Sequence, residues 1–235
     1  MSRDQAISQE KQRSGPQNRV PWQWRYWYEF SRRVVAIAMM ILFRTRHYGL
    51  SNVTFPGGAL LVANHQSFVD PMAIGCAVPE KMNFLARKTL FKFKPFGRLL
   101  DSIDIIPLNQ EGLGFEGIKE TIKRLKNGEK VLIFPEGARC WDGEIMPFKK
   151  GVTELAVRTK VPIIPVAIEG AHECWGRDQK PTFFPDNNGA IRIIYGEPIP
   201  YSQASQMTED ELNEFVEQKV HSLYNFLRSQ RHLVR

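Results

Sequence analysis

His65 and Asp70 lie in the run Asn64-His65-Gln66-Ser67-Phe68-Val69-Asp70-Pro71, directly after the apolar stretch Ala59–Ala63. An imidazole takes up a proton near neutral pH, and a neighbouring carboxylate fixes its tautomer and stabilises the cation that forms. The pair is a candidate general base, although a His and an Asp this close along a chain make a loose motif on their own. Two further runs carry charge suited to an anionic ligand. Phe134-Pro135-Glu136-Gly137-Ala138-Arg139 ends a second apolar stretch in a turn bearing one acid and one arginine. Gly137 lets the backbone come close to a ligand, and Arg139 can hold a phosphate through two parallel N–H groups. A surface Glu–Arg pair on a turn is the plainer alternative. Phe148-Lys149-Lys150-Gly151 sets two ammonium groups at an expected helix start. They oppose the helix dipole there, so either an anion offsets them or they are simply solvated.

These residues need elements to hold them. Short apolar runs predict strands at Ala59–Ala63, Lys81–Ala86, Ile103–Leu108, Lys130–Phe134, Val161–Ile168 and Ala190–Tyr195, with helices near 71–78, 89–100, 115–127 and 149–159 between them. The alternation predicts an α/β fold: one domain with a mixed, mainly parallel sheet flanked by helices. Thr208-x-x-Glu211 opens a last helix as a capping box. Ser67-x-x-Asp70 reads either as a capping box with Ser67 as N-cap, or as Asp70 capping a helix whose first residue is Pro71. In both versions His65 sits in a turn after a strand, the position where parallel sheets bind ligands.

The chain has 235 residues, 43% of them hydrophobic, which suits one domain of this class with a real core. Residues 1–20 are polar and expected to be a disordered basic tail; residues 21–50 are expected to form an aromatic, basic, membrane-associating helix, and residues 51–235 the catalytic domain. Residues 1–50 hold nine basic and three acidic residues, nearly the whole net charge of +7. Trp22, Trp24, Tyr26, Trp27, Tyr28 and Phe30 precede the apolar run Val34–Phe43, which arginines bracket on both sides. That run is too short to cross a bilayer, while tryptophan, tyrosine and arginine favour the headgroup zone. A core helix with an aromatic cap is the competing reading. Nucleic acid is not an expected partner, because the basic excess stops at the folded body. Cys76, Cys140 and Cys174 show no paired or metal-ligand spacing, which argues for a reducing compartment. No secretory signal is visible in residues 1–20. His172, in Ala-His-Glu-Cys-Trp, fits no common zinc spacing and is read as part of a surface loop.

The blocks together resemble the glycerolipid acyltransferase family over about residues 45–200. Asn64, His65 and Asp70 match its Asn-His-x-x-x-x-Asp block. Phe134, Pro135, Glu136, Gly137 and Arg139 match its Phe-Pro-Glu-Gly-Thr-Arg block, with Ala138 in place of Thr. Phe148, Lys149 and Gly151 match its Phe-Lys-x-Gly element, and Val161, Pro162, Pro165 and Val166 its Val-Pro-x-x-Pro-Val strand. Ala86-Arg87-Lys88 and Phe96-Gly97 look like its second-strand region. The resemblance implies transfer of a fatty acyl group from acyl-CoA or acyl carrier protein to the hydroxyl of a lysophospholipid, within phospholipid biosynthesis. The acceptor it implies is 1-acylglycerol-3-phosphate, which gives phosphatidic acid. It implies His65 as base, Asp70 as its partner, and Asn64, Arg87, Glu136, Gly137, Arg139 and Lys149 as substrate-binding residues. It requires no metal or cofactor beyond the acyl thioester co-substrate, and implies a membrane-associated protein, peripheral or monotopic, on the cytoplasmic face.

One departure bears on the acceptor. Where the family carries an arginine for the acceptor phosphate, this chain has Pro107. The phosphate is then expected on Arg139, Lys149 or Arg87, or the head group differs. Glu136 is expected to orient Arg139 or to bond a glycerol hydroxyl. Backbone N–H groups at the start of the helix after His65 are candidates for the oxyanion site. A non-catalytic lipid-binding protein on the same fold would not need the His–Asp pair, and an ester hydrolase would want a Gly-x-Ser-x-Gly elbow, which is absent.

Overall fold

The computed structural model describes residues 22–87, 106–108, 114–186 and 190–232. The tail, the expected 89–100 helix, the matched residues Lys88, Phe96 and Gly97, and the first part of the 103–108 strand lie outside them. Seven strands form one sheet in the order β1-β7-β6-β2-β5-β3-β4. They are β1 (Arg46–Tyr48), β2 (Ala59–Ala63), β3 (Met82–Arg87), β4 (Ile106–Leu108), β5 (Lys130–Ile133), β6 (Ile163–Glu169) and β7 (Arg192–Tyr195). Strands β6, β2, β5, β3 and β4 run parallel to one another; β7 is antiparallel to β6, and β1 pairs parallel with β7. The fold is the expected mixed α/β sheet. Strand β1 was not expected, because three residues of Arg-His-Tyr carry no apolar run.

Seven helices flank the sheet among the described residues: α1 (Trp22–Phe43), α2 (Asp70–Gly75), α3 (Gly114–Lys126), α4 (Glu154–Thr159), α5 (Ala171–Trp175), α6 (Tyr201–Ala204) and α7 (Glu209–Ser229). Strand β2 is buried at every position and sits at the centre. Successive side chains of a strand point to opposite faces. Ala59, Leu61 and Ala63 therefore enter one core with Met39, Phe43 and Ile74, and Leu60 and Val62 the other with Val216, Val220 and Leu227. Burial on both faces explains why β2 and β6 read as continuous apolar runs. Pro107 lies on edge strand β4, where a residue without an N–H is tolerated.

Helix α1 is buried on one side and open on the other. It buries Met39 and Phe43, and Arg32 donates to the Cys76 carbonyl at 2.7 Å. Its other face leaves Tyr26, Phe30, Ile37, Met40 and Ile41 more than half exposed. Arg44 takes a left-handed conformation after the helix, and the last carbonyls find donors elsewhere: Phe184 N–H on Leu42 at 2.7 Å and Ile191 N–H on Phe43 at 3.2 Å. No helix among the described residues is long and apolar enough to cross a membrane.

Helix α7 opens with both halves of the Thr208/Glu211 capping box. The expected 149–159 helix starts only at Glu154. Residues 149–150 are thus outside it, and Lys150 pairs with Asp210 at 2.6 Å instead of facing a helix dipole. His172 lies in helix α5 rather than a loop, its Nε2 at 3.0 Å from the Trp141 carbonyl. Cys76, Cys140 and Cys174 are buried and form no disulfide among the described residues.

Candidate active site

Strands β2 and β5 are neighbours in register, Val62 beside Ile133, so the turns that follow them emerge side by side at the carboxyl edge of the sheet. The first turn carries His65 and Asp70, the second Glu136, Gly137 and Arg139. His65 Nδ1 is 2.8 Å from Asp70 Oδ2. The same oxygen accepts the Gln66 N–H at 2.6 Å and the Ser67 N–H at 2.7 Å. A fully buried oxygen with two N–H donors already on it behaves as a carboxylate, so the shared proton is assigned to Nδ1, and Nε2 is left as the acceptor. The imidazole also stacks on Phe134, centroids 4.1 Å apart at 18°. Ring position and tautomer are both fixed.

Asp70 does this from the first turn of α2, where Val69 is the N-cap and Pro71 follows. Neither expected capping arrangement forms whole. Asp70 receives the Ser67 N–H, as in a capping box, but Ser67 Oγ accepts from Val69 N–H at 3.3 Å and donates to the Trp175 carbonyl at 2.6 Å. The N–H groups of Gln66, Ser67 and Val69 are consequently taken. These three are not available to an oxyanion, because Asp70 and Ser67 use them to shape the turn.

Glu136 is 5% exposed and holds backbone, not Arg139. One carboxylate oxygen accepts the His65 N–H at 2.6 Å, the other the Met146 N–H at 3.0 Å. Burial pushes its carboxyl up to about 8, although these two donors pull the other way. The Cys140 N–H closes the junction on the His65 carbonyl at 2.9 Å. Glu136 thereby ties the two turns together.

Asn64 is likewise turned inward. Its side chain donates to the Ile168 carbonyl and accepts the Ile168 N–H, both at 2.9 Å. At 1% exposure, this amide extends the pairing of β2 with β6 and does not face a substrate. Gly137 takes φ 74°, and a Cβ there would sit 2.5 Å from Lys149 Nζ. The missing side chain makes room for the Lys149 ammonium rather than for a ligand's backbone contact. Arg139 lays its guanidinium over Phe68, 3.3 Å from the ring centroid. Arg139 thus lies against the His65 turn, and Lys149 against the turn after β5. Arg87 ends β3, beside β5, in register with Leu108; only its backbone is described.

Sequence reasoning missed Gln66, Phe134 as a stacking partner, and Tyr224. Gln66 Nε2 donates to the Gly143 carbonyl at 2.6 Å, and Tyr224 of α7 donates to the same carbonyl at 2.9 Å. Nothing in the chain's spacing signals a contact between residues so far apart. Among the described residues no cluster of His, Cys, Asp and Glu is arranged to hold a metal.

A carboxylate-held imidazole on one turn, with a guanidinium on the next, at the carboxyl edge of a mainly parallel sheet, can deprotonate a hydroxyl beside an anionic group. Residues 44–169 match the Acyltransferase family, and the chain belongs to it. It is similar to the 1-acyl-sn-glycerol-3-phosphate acyltransferase of Bacillus subtilis (strain 168), 28% identical over 205 residues, 85% of this chain and 98% of that one. The enzyme of that name from Cocos nucifera is 30% identical over 169 residues, 71% of this chain and 52% of its own. The chain thus spans nearly all of the bacterial relative and about half of the plant one. The crystal structure of the 1-acyl-sn-glycerophosphate (LPA) acyltransferase PlsC from Thermotoga maritima superposes with a TM-score of 0.76 at 28% identity, covering 89% of this chain and 83% of that one.

Proposed function

We propose that this acyltransferase moves a fatty acyl group from an acyl thioester, acyl-CoA or acyl carrier protein, to the free hydroxyl of 1-acylglycerol-3-phosphate, giving phosphatidic acid. The observation that carries the reading is the His65–Asp70 bond at 2.8 Å, which leaves Nε2 to act as base. The acceptor O–H proton passes to Nε2 while its oxygen bonds to the thioester carbonyl carbon. The C–S bond then breaks, and the thiolate leaves with the proton returned by the imidazolium. A thiol pKa near ~8.5 makes that departure easy, so the alcohol is the group that needs help. Asp70 stabilises the transient imidazolium. Arg139 and Lys149 supply positive charge for the acceptor phosphate. The similarity to enzymes named for this acceptor supports the head group in spite of Pro107.

The outward apolar face of α1 supports attachment to a membrane surface, where such an acceptor resides. Three buried cysteines without a disulfide fit a reducing compartment and hence the cytoplasmic face. The test is labelled acyl thioester with 1-acylglycerol-3-phosphate and a panel of other lysophospholipids. Labelled phosphatidic acid is the expected product, and His65→Ala, shown to be folded, is expected to lower its formation about 10²–10⁴-fold. Normal transfer by that variant removes the base assignment; preference for another acceptor removes the head group.

A further inference from the structure

Phe68 lies inside the turn that carries His65 and Asp70, yet neither of them bonds to it. The residues on either side are buried, and Ser67 donates to the Trp175 carbonyl at 2.6 Å. Phe68 itself stands 45% exposed. A ring that open adds little apolar burial to the fold. Two side chains meet it. Arg139, from the turn after β5, sets its guanidinium carbon 3.3 Å from the ring centroid. Trp175, at the end of α5, approaches to 5.7 Å between centroids, tilted by 49°. At 3.3 Å the guanidinium must lie flat on the ring, because an upright plane would drive a nitrogen into it. The negative face of the ring attracts the cation there. Trp175 in turn packs against the core. Contact therefore runs from the core through indole and phenyl to the guanidinium.

Arginine offers phosphate a planar fork, and its long side chain loses rotamer freedom when it does so. A guanidinium already laid on a ring has given up part of that freedom before the ligand arrives, which favours binding. The backbone is placed as well. Cys140 N–H bonds the His65 carbonyl at 2.9 Å, so Arg139, one residue earlier, is held beside the base. A phosphate and a reacting hydroxyl of one small acceptor need a cation and a base at a fixed separation.

We infer that Phe68, braced by Trp175, is a positioning residue for acceptor recognition: it fixes the Arg139 guanidinium beside His65 and so sets the affinity for the acceptor phosphate. The inference rests on the phosphate role given to Arg139 above. The ring acts through the arginine and not on the reacting atoms, so its effect falls on acceptor KM and leaves kcat.

Steady-state kinetics on the full chain test this with short-chain, monomerically dispersed 1-acylglycerol-3-phosphate, which takes membrane binding out of the measurement. Phe68→Leu is expected to raise acceptor KM on the order of tenfold, with kcat and thioester KM as in the native chain. Phe68→Tyr keeps an aromatic face and is expected to keep the native KM. Glycerol 3-phosphate carries the phosphate and no acyl tail. Its inhibition constant is expected to rise in Phe68→Leu by the same factor as the KM. In a double-mutant cycle, Phe68→Leu/Arg139→Ala is expected to match the acceptor kcat/KM of Arg139→Ala alone, because the ring acts only through the guanidinium. Native KM in folded Phe68→Leu overturns the inference, as does an additive cycle. A raised KM with an unchanged inhibition constant also overturns it, since the ring would then touch the acyl tail. A fall in kcat without a rise in KM marks a disturbed His65 turn and sinks it too. Should Phe68→Leu not fold, Phe68→Met carries the same measurements. Native acceptor KM in Arg139→Ala is a different failure: it removes the phosphate role of Arg139, and the inference with it.

Discussion

At the scale of single residues, the imidazole is held by Asp70 and its backbone by Glu136. Asp70 spends one oxygen on three donors, His65 Nδ1 and the Gln66 and Ser67 N–H groups. Asp70→Asn keeps the shape but puts the wrong proton inventory beside Nδ1. The expected result is a fall in kcat of about 10²–10⁴ with little change in acceptor KM, measured by steady-state kinetics. Glu136 separates a positioning role from a binding one. Glu136→Gln retains one acceptor and turns an amide N–H₂ toward a backbone donor, so kcat is expected to fall while acceptor KM holds; a rise in KM alone would mark a substrate contact. The same variant tests the titration. Burial raises the Glu136 pKa to about 8, above its ordinary value, so its contribution to stability is complete at low pH and fades as pH rises through 8. Thermal midpoints of the native chain are expected to fall relative to Glu136→Gln between about pH 5 and pH 8.

At the scale of elements, α1 is both a packing helix and a surface. Its buried side holds Met39 and Phe43 in the core, and strand β1 directly after it pairs with β7. Removing the N-terminal segment as far as residue 46 would therefore cut into the core, and loss of membrane binding in such a protein would say little. Ile37 and Ile41 are 54% and 53% exposed, so Ile37→Asp/Ile41→Asp leaves packing intact. The expected outcome is release from anionic vesicles in a flotation assay, with stability within about 0.5 kcal/mol of the native chain. The turns after β2 and β5 behave as one element in two pieces, joined by Glu136 on His65 N–H and Cys140 N–H on the His65 carbonyl.

Across the whole molecule, α7 and the turn after it close on the carboxyl edge of the sheet. Arg192 and Glu169 are buried at 0% and 1% exposure and pair at 3.3 Å, and Arg231, beyond α7, bonds the same carboxylate and also Glu173 at 2.5 Å. The C-terminal turn is thereby tied to the ends of β6 and β7, while Tyr224 reaches the loop at Gly143. Glu169→Ala would leave Arg192 buried without its carboxylate. Chemical denaturation is expected to show a loss of about 3–5 kcal/mol.

The sequence by itself determined the strands β2, β5 and β6, the final helix with its Thr208 cap, and the His65–Asp70 pair. Each is written in contiguous residues: burial on both faces demands an unbroken apolar run, a capping box has fixed spacing, and five residues of turn suffice to return a carboxylate to an imidazole. Tertiary structure alone decided where the residues around that pair point. Asn64 answers to Ile168, Glu136 to His65 and Met146, Gly137 to Lys149, and Lys150 to Asp210. Asn64, Glu136 and Lys150 find these partners on another strand, turn or helix, and which of those lie adjacent follows from the strand order, in which β5 and β6 flank β2 although long stretches of chain separate them. A motif names the residues at such a site. The order of the sheet settles which of them hold the others in place.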